Sequence, residues 1–250
     1  MEQNLSKKTR TESDLIGSRE VPESALYGVQ TLRGIENFRI SKFHLNEYPL
    51  FIQALAITKM GAAVANRELD LLTEEQADAI LKACKEILEG KHHDQFPVDM
   101  IQGGAGTTTN MNANEVIANR ALELMGHQRG EYQYCSPNDH VNRSQSTNDA
   151  YPTAIHIGLY YTHLKLVKHF EVLIESFRKK ATEFAHVIKM GRTQLEDAVP
   201  MTLGQTFNGF ASILRHEVKN LDFAAQDFLT VNMGATAIGT GITAEPEYAE

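Results

Sequence analysis

Apolar residues recur along most of the chain at intervals of three and four, the spacing that places side chains on one face of an α-helix. The segment 51–69 is rich in Ala, Leu, Ile and Met and is predicted to be the first such helix. A second helix is expected after Thr73 and Gln76, which have the spacing of a capping box, and should end near Gly90. A third helix is predicted over residues 115–125.

Two longer helices are predicted in the second half of the chain. The first runs from Tyr151 to about Ile188, and the second begins near Thr202. The apolar stripe of the second helix consists of Leu203, Phe207, Phe210, Leu214, Val218, Leu221, Ala225 and Phe228. Helices of about 30 residues are roughly 45 Å long and need partners of similar length. We therefore expect a mainly α fold, in which an N-terminal domain of short helices and loops (1–145) precedes an incomplete helical-bundle domain (146–250).

Strand signals are weak along the chain. Residues 25–31, ALYGVQT, and 36–41, ENFRIS, are predicted to form a short hairpin or an irregular lead-in. The last residues, 239–250, read as a loop in the middle of a domain, so the chain is interpreted as a fragment.

Composition narrows the class of protein. The 250 residues are 42% hydrophobic and 22% charged, as in soluble folded proteins. No run of eighteen apolar residues predicts a membrane span, and the polar segment 1–20 lacks the apolar core of a secretory signal. Cys84 and Cys135 match no metal or redox spacing, which favours a cytoplasmic protein. The net charge of −8 argues against nucleic-acid binding, and an anionic substrate would need locally arranged donors.

Three polar segments interrupt the helical pattern, each just before a predicted helix. They are residues 103–114, 136–153 and 191–202, and all are rich in Ser, Thr, Asn or Gln. Unpaired N–H groups at a helix start, together with neighbouring hydroxyls and amides, suit a carboxylate or phosphate. The same residue types also serve as ordinary helix caps, and both interpretations stay open at this point. Neither the P-loop spacing nor a metal-ligand pattern is present, so no cofactor and no metal are predicted.

The polar segments and their surroundings resemble the aspartase/fumarase superfamily, and within it the aspartase branch. The resembling segments are QGGAGTTTNMNANEVIAN (102–119), ELMGHQRGEYQY (123–134), NDHVNRSQSTNDAYPT (138–153), KMGRTQLEDAVPMTLGQ (189–205) and VNMGATAIGTG (231–241). The likeness extends from about Ser18 to the end of the chain. It is specific, because five motifs occur in the order of the family.

The resemblance implies a reaction and a set of binding residues. L-Aspartate would lose ammonia reversibly to give fumarate, by proton abstraction and an enediolate-like intermediate that hydrogen-bond donors stabilise. The substrate-binding residues implied by the resemblance are Thr107, Ser146, Thr147, Asn148, Thr193 and Gln194. Asn110 and His140 are weaker candidates, since helix capping or a peripheral anion site explains them equally well.

Gln194 separates the branches of the superfamily. Fumarases usually have histidine at this place, whereas some aspartases have glutamine, which cannot titrate. We therefore favour an aspartase. The alternatives are fumarate hydratase or another fumarate-releasing lyase of the superfamily, and a non-catalytic helical assembly module whose polar segments are only caps.

One motif of the family is absent from these 250 residues. The flexible loop Gly-Ser-Ser-x-Met-Pro-x-Lys-x-Asn, which carries the catalytic serine and a carboxylate-binding lysine, does not occur. The resemblance places it beyond Glu250, so the catalytic residue is not assigned and the chain alone is expected to be inactive. The resemblance also implies a homotetramer in which each site is built from three subunits.

Overall fold

The computed structural model describes residues 8–250. The first seven residues, which belong to the polar segment 1–20 discussed above, lie outside the described residues. The helices are α1 (Val29–Asn37), α2 (Pro49–Glu68), α3 (Glu74–Leu88), α4 (Thr107–Leu124), α5 (Thr147–Glu183) and α6 (Leu203–Ala225). The strands are β1 (Thr9–Asp14), β2 (Gly17–Pro22), β3 (Ile188–Thr193) and β4 (Glu196–Thr202). The prediction of a mainly α fold is confirmed.

The described chain packs as two compact units. The first extends to Gly158 and also includes Val231–Glu250, and the second comprises Leu159–Thr230. The first unit contains α1 to α4, the β1–β2 hairpin and the start of α5. The second contains the rest of α5, the β3–β4 hairpin and α6. Over residues 8–250, no helix combines the length and the apolar character needed to cross a bilayer.

The core of the first unit lies where α2, α3 and α4 pack together. Ile52 and Leu55 from α2, Ile80 from α3 and Ile117 from α4 are each at most 1% exposed. Complete burial of one such side chain stabilises the fold by about 1.5–3 kcal/mol. These contacts fix the position of α4, whose N-terminal half contains most of the first polar segment.

The predicted capping box is confirmed at the start of α3. The Thr73 hydroxyl accepts the Gln76 backbone N–H at 3.2 Å, and the Gln76 side chain accepts the Thr73 backbone N–H at 3.2 Å. This reciprocal arrangement satisfies backbone donors that the helix start would otherwise leave unpaired. The helix ends at Leu88, two residues before the predicted stop at Gly90.

The predicted hairpin over residues 25–31 and 36–41 is wrong, whereas the alternative of an irregular lead-in holds for residues 25–28 and 38–41. Residues 29–37 between them form α1, and the hairpin lies further toward the N-terminus, where β1 pairs with β2 in antiparallel register. Its strands are largely polar in sequence. Glu12 and Val21 are their buried residues, and the other positions are exposed or half-buried. A strand pair with so few apolar positions gives no alternating hydrophobic signal.

Two helices begin earlier than predicted. Helix α4 begins at Thr107 and not at Glu115, while α5 begins at Thr147 and not at Tyr151. Helix α5 also ends at Glu183, before the predicted end near Ile188. Thr and Asn have low helix propensity, so the Thr- and Asn-rich starts of α4 and α5 were predicted to be loops. Tertiary packing overrides that preference, because Asn110, Asn112 and Asn114 are at most 1% exposed in α4.

The second unit is held by aromatic contacts within itself. The ring of Phe177 on α5 lies 6.0 Å from that of Phe207 and 5.6 Å from that of Phe210, both on α6. Helix α6 begins as predicted, because the Thr202 hydroxyl accepts the Gln205 backbone N–H at 3.1 Å and caps the helix. The prediction of a loop over residues 191–202 is wrong, because this segment belongs to the β3–β4 hairpin.

Candidate functional site

The first polar segment makes a left-handed turn and then enters α4. Gly104, Ala105 and Gly106 have φ values of 70°, 48° and 93°. A β-carbon on Gly106 would lie 2.4 Å from the Tyr151 ring, so that position requires glycine both for its φ and for the close approach. Thr107 follows as the first residue of α4, and its hydroxyl donates to the Gly104 carbonyl at 2.6 Å. The turn therefore places the exposed Thr107 at the positive end of the α4 dipole.

The second polar segment forms the N-terminus of α5. The Ser146 hydroxyl accepts the Asn148 backbone N–H at 3.2 Å, and the Ser146 N–H donates to Asp149 at 2.9 Å. Thr147 is half-buried and Asn148 is exposed. The three predicted binding residues are therefore adjacent at a helix start, with their hydroxyl and amide groups close to the unpaired end of the backbone.

The motif at residues 231–241 packs against this helix start within the first unit. The Asn148 side chain donates to the Ala237 carbonyl at 2.8 Å, and Asn232 donates to the Asn148 carbonyl at 3.1 Å. The fully buried Asp149 accepts the Thr236 backbone N–H at 2.8 Å. The sequence identified this motif only through the resemblance, and the structure shows that it supports the 146–148 segment.

Asn110 joins the first polar segment to the second. Its side chain is buried in the first unit, and its Nδ2 donates to the Thr147 hydroxyl at 3.2 Å and to Asn142 Oδ1 at 3.1 Å. Its Oδ1 accepts from Lys59 Nζ at 2.8 Å. The weaker candidate Asn110 thus lies at the centre of the polar network behind Thr147.

Lys59 is the residue that the sequence interpretation missed. It is 1% exposed, lies on α2, and its ammonium also donates to Asn142 at 3.0 Å and to Gln145 at 2.9 Å. Burial lowers the pKa of Lys59 to about 7, while the charge of Asp149 acts in the opposite direction. A signal was available, because Lys59 is the one charged residue in the largely apolar segment 51–66.

His140 belongs to a local turn. Its Nδ1 accepts the Ser136 backbone N–H at 2.7 Å, and its Nε2 lies 3.3 Å from Gln76 Nε2. Burial lowers the pKa of His140, which favours the neutral ring. The two contacts give both ring nitrogens a neighbour within the turn and α3, and substrate contact by His140, as by the buried Asn110, stays a prediction.

Thr193 and Gln194 lie in the second unit. Thr193 pairs with Glu196 at the end of β3, so Gln194 and Leu195 form the two-residue loop of the hairpin. Gln194 has φ of 53°, a left-handed value that costs a non-glycine residue about 1–2 kcal/mol. Both predicted binding residues are exposed at the end of the hairpin, and their role stays a prediction.

An open cavity of about 990 Å³ in the first unit lies away from these groups. Arg10 and Arg129 line it, but their guanidinium groups are already bound. Arg10 donates to the carbonyls of Ala25 and Tyr27 at 2.8 Å, and Arg129 donates to Glu123 at 2.6 Å. Volume alone therefore does not identify the site. Over residues 8–250, no group of three His, Cys, Asp or Glu side chains is arranged to hold a metal ion.

Residues 17–250 match the family model described as Lyase, and the chain belongs to that family. It is 56% identical over 245 residues to the aspartate ammonia-lyase of Escherichia coli strain K12, an alignment that covers 98% of this chain and 51% of that enzyme. The chain therefore spans about half the length of the curated relatives it matches.

Two solved structures share the fold. The crystal structure of a fumarate lyase:delta crystallin from Brucella melitensis bound to cobalt gives a TM-score of 0.92 at 52% identity and covers 97% of this chain and 53% of that chain. A class II fumarase from Schistosoma mansoni gives a TM-score of 0.89 at 36% identity and covers 96% of this chain and 50% of that chain. This chain thus has the fold of one half of a fumarase-family lyase.

Proposed function

We propose that this chain is the N-terminal half of an aspartate ammonia-lyase, which interconverts L-aspartate with fumarate and ammonia. The resemblance to aspartate ammonia-lyases, 56–58% identical over most of the chain, supports the substrate. The structural observation that carries the proposal is the hydrogen bond between Asn110 and Thr147, because it connects two of the three polar segments in one network.

The arrangement at the α5 start suits the chemistry of this reaction. Removal of a proton from the carbon beside a carboxylate converts that carboxylate into a doubly negative enediolate-like group. Ser146, Thr147 and Asn148 offer uncharged donors at the positive end of a helix dipole. Fixed donors of this kind stabilise the transition state more than the ground state, which lowers the barrier. Thr107, Thr193 and Gln194 are proposed to complete the set.

The group that removes the proton is proposed to lie outside this chain. The serine loop of the family does not occur in the 250 residues, and we expect it in sequence that follows Glu250. On this proposal residues 1–145 form the N-terminal lyase domain and 146–250 the first part of the helical bundle. No residue of this chain is proposed as a ligand of a cofactor or a metal.

A fumarate hydratase is the second candidate, because the chain also shares its fold with a class II fumarase. Gln194 argues against it. A histidine at the same place could exchange a proton near neutral pH, whereas glutamine can only donate and accept hydrogen bonds. The choice of leaving group is therefore the feature that an assay must decide.

We also propose a homotetramer in the cytoplasm, with each site shared among three subunits. Apolar side chains of the second unit fit such an assembly, since Val172 is 68% exposed, Ile213 61% and Phe223 82%. Exposed apolar residues on long helices are typical of surfaces that other bundle helices cover, either from another subunit or from the rest of the same protein. The buried free thiols of Cys84 and Cys135 fit a reducing compartment.

The full-length gene product is expected to prefer L-aspartate to L-malate by at least about 10²-fold in kcat/KM, because the site is built for a different leaving group. Fumarate formation from each substrate, followed by ultraviolet absorbance, measures this ratio. Equal or greater turnover of L-malate would assign the chain to the hydratases. No turnover of either substrate would support the non-catalytic assembly module.

A further inference from the structure

The ammonium group of Lys59 is surrounded by three side-chain amides. Its Nζ donates to Oδ1 of Asn110 at 2.8 Å, to Oδ1 of Asn142 at 3.0 Å and to Oε1 of Gln145 at 2.9 Å. All three acceptors are oxygens. An ammonium has three N–H donors and no acceptor, whereas a neutral amine has only two donors. The three acceptors therefore match the protonated form of Lys59, whose charge burial disfavours and the nearby Asp149 favours. Within residues 8–250, no carboxylate forms a hydrogen bond with this ammonium.

The neighbouring groups fix the direction of these amides. Gln145 Nε2 donates to the carbonyls of Val141 at 2.9 Å and Arg143 at 3.1 Å, so its oxygen must face Lys59. Asn142 Nδ2 donates to the Gln145 carbonyl at 3.2 Å, which turns its oxygen to Lys59 as well. An amide that faces an all-donor group has one allowed orientation, since the reverse orientation would place two donors against each other.

The same constraint reaches Thr147 through Asn110. Because Asn110 Oδ1 faces Lys59, its Nδ2 must point the other way, toward Thr147 Oγ1 at 3.2 Å. The Thr147 hydroxyl therefore accepts a hydrogen bond on its inner side. Its own proton is then free to donate outward, which is the direction that a carboxylate ligand requires.

We infer that Lys59 is a positioning residue that sets the donor direction of Thr147 through the Asn110 amide. The inference rests on the proposed function, because it assigns Lys59 a role in the binding of the dicarboxylate. Lys59 does not touch the substrate. Its role is to determine which way a neutral hydroxyl donates, so that the site presents a donor where the carboxylate gains charge.

A double-mutant cycle in the full-length enzyme tests the inference. Lys59→Met is expected to lower kcat/KM for L-aspartate about 10- to 100-fold and to weaken inhibition by succinate about 10-fold, as loss of a hydrogen bond to a charged group does. In the Thr147→Val background, which has no hydroxyl to direct, the same change is expected to lower kcat/KM by less than about 3-fold. A merely structural role would give equal losses in both backgrounds and would leave succinate inhibition unchanged.

Asn110→Asp provides a second test that keeps the size and the acceptor beside Lys59. An aspartate cannot donate to Thr147, so the Thr147 proton would turn inward to the new carboxylate. We expect a loss of kcat/KM and of succinate inhibition as large as that of Lys59→Met, and again dependent on Thr147. Should Lys59→Met fail to fold, which circular dichroism would show, this variant decides alone. Full activity of a folded Asn110→Asp enzyme would overturn the inference.

The matched control is Thr58→Val, one residue away on α2. Thr58 is 4% exposed, and its hydroxyl donates only within its own helix, to the Ala54 carbonyl at 2.9 Å. We expect near-normal kcat/KM for this variant. Failure of the inference and failure of the proposed function are distinguishable. If Thr147→Val retains normal turnover, the proposed function fails. If Thr147→Val loses activity but Lys59→Met lowers kcat/KM by the same factor with and without the Thr147 hydroxyl, the inference alone is overturned.

Discussion

The 250-residue chain alone is expected to form fumarate from L-aspartate at less than about one-thousandth of the rate of the full-length lyase. General base catalysis contributes about 10²–10⁴-fold to such rates, and we propose that a serine outside these 250 residues supplies the base. The loss should be larger still if the proposed loop also supplies a lysine for the substrate carboxylate. Fumarate absorbance, measured per mole of protein for both forms, gives the ratio.

Folding of the isolated chain must be established in the same experiment. Circular dichroism should show the helices, and addition of the separately expressed second half should restore activity if the two halves associate. Long helices with exposed residues such as Phe223 make self-association of the isolated chain an expected outcome, which sedimentation would detect. Turnover by the chain alone at a rate near that of the full-length enzyme would show that the base lies within these 250 residues.

Thr147→Val in the full-length enzyme is expected to lower kcat by about 10²–10³-fold, the loss typical of one donor removed from a developing oxyanion. Valine keeps the shape of threonine, so the change removes the hydroxyl and little else. It also leaves the Asn110 amide without its acceptor at Thr147. Steady-state kinetics with L-aspartate, together with thermal unfolding, separates the catalytic loss from any loss of stability.

Thr182→Val, a second substitution on α5, is the control for Thr147→Val. Its hydroxyl donates to the Arg178 carbonyl of the same helix at 3.3 Å, and its side chain is exposed in the second unit. Kinetic constants close to those of the unmodified enzyme are expected. Normal kcat for Thr147→Val would contradict the assignment of the second polar segment to the carboxylate.

Local chemistry made some parts of the fold predictable. The capping residues Thr73 and Thr202 mark helix starts correctly, because a capping box depends on side chains three residues apart. The start of α4 was not predictable in this way. The Thr and Asn residues between positions 107 and 114 have poor helix propensity, and their helical conformation depends on burial against residues distant in sequence.

The motifs predicted the candidate site residues, whose roles stay a prediction, but they did not predict how these residues are connected. The motifs indicated Thr147 and Asn148, and the structure places them at a helix start. The sequence offered no reason to join Asn110 to Lys59, 51 positions away, because that contact depends on how α2 packs beside α4. A single lysine within an apolar stretch of helix is the sequence feature that indicates such a network, because lysine is rarely buried without partners.

The third polar segment shows a different limit. Residues 191–202 were predicted as a loop because they interrupt the helical pattern with polar residues, yet most of them form the strands of a hairpin. The strands are mostly exposed on both faces, so they lack an apolar alternation. The two-residue turn sets the left-handed φ of Gln194. The sequence did not predict this φ, because glycine and asparagine are the residues that usually indicate such a turn.

The crystal structure of the full-length enzyme with bound succinate tests the central claim most directly, namely that uncharged donors at several helix starts converge on a dicarboxylate. We predict a succinate carboxylate within about 3.2 Å of the Thr147 hydroxyl and of a donor at Asn148, with Thr107 and Thr193 also near the ligand. A structure in which Thr107, Asn148 and Thr193 lie far apart across every pairing of neighbouring subunits, with succinate bound elsewhere, would contradict it.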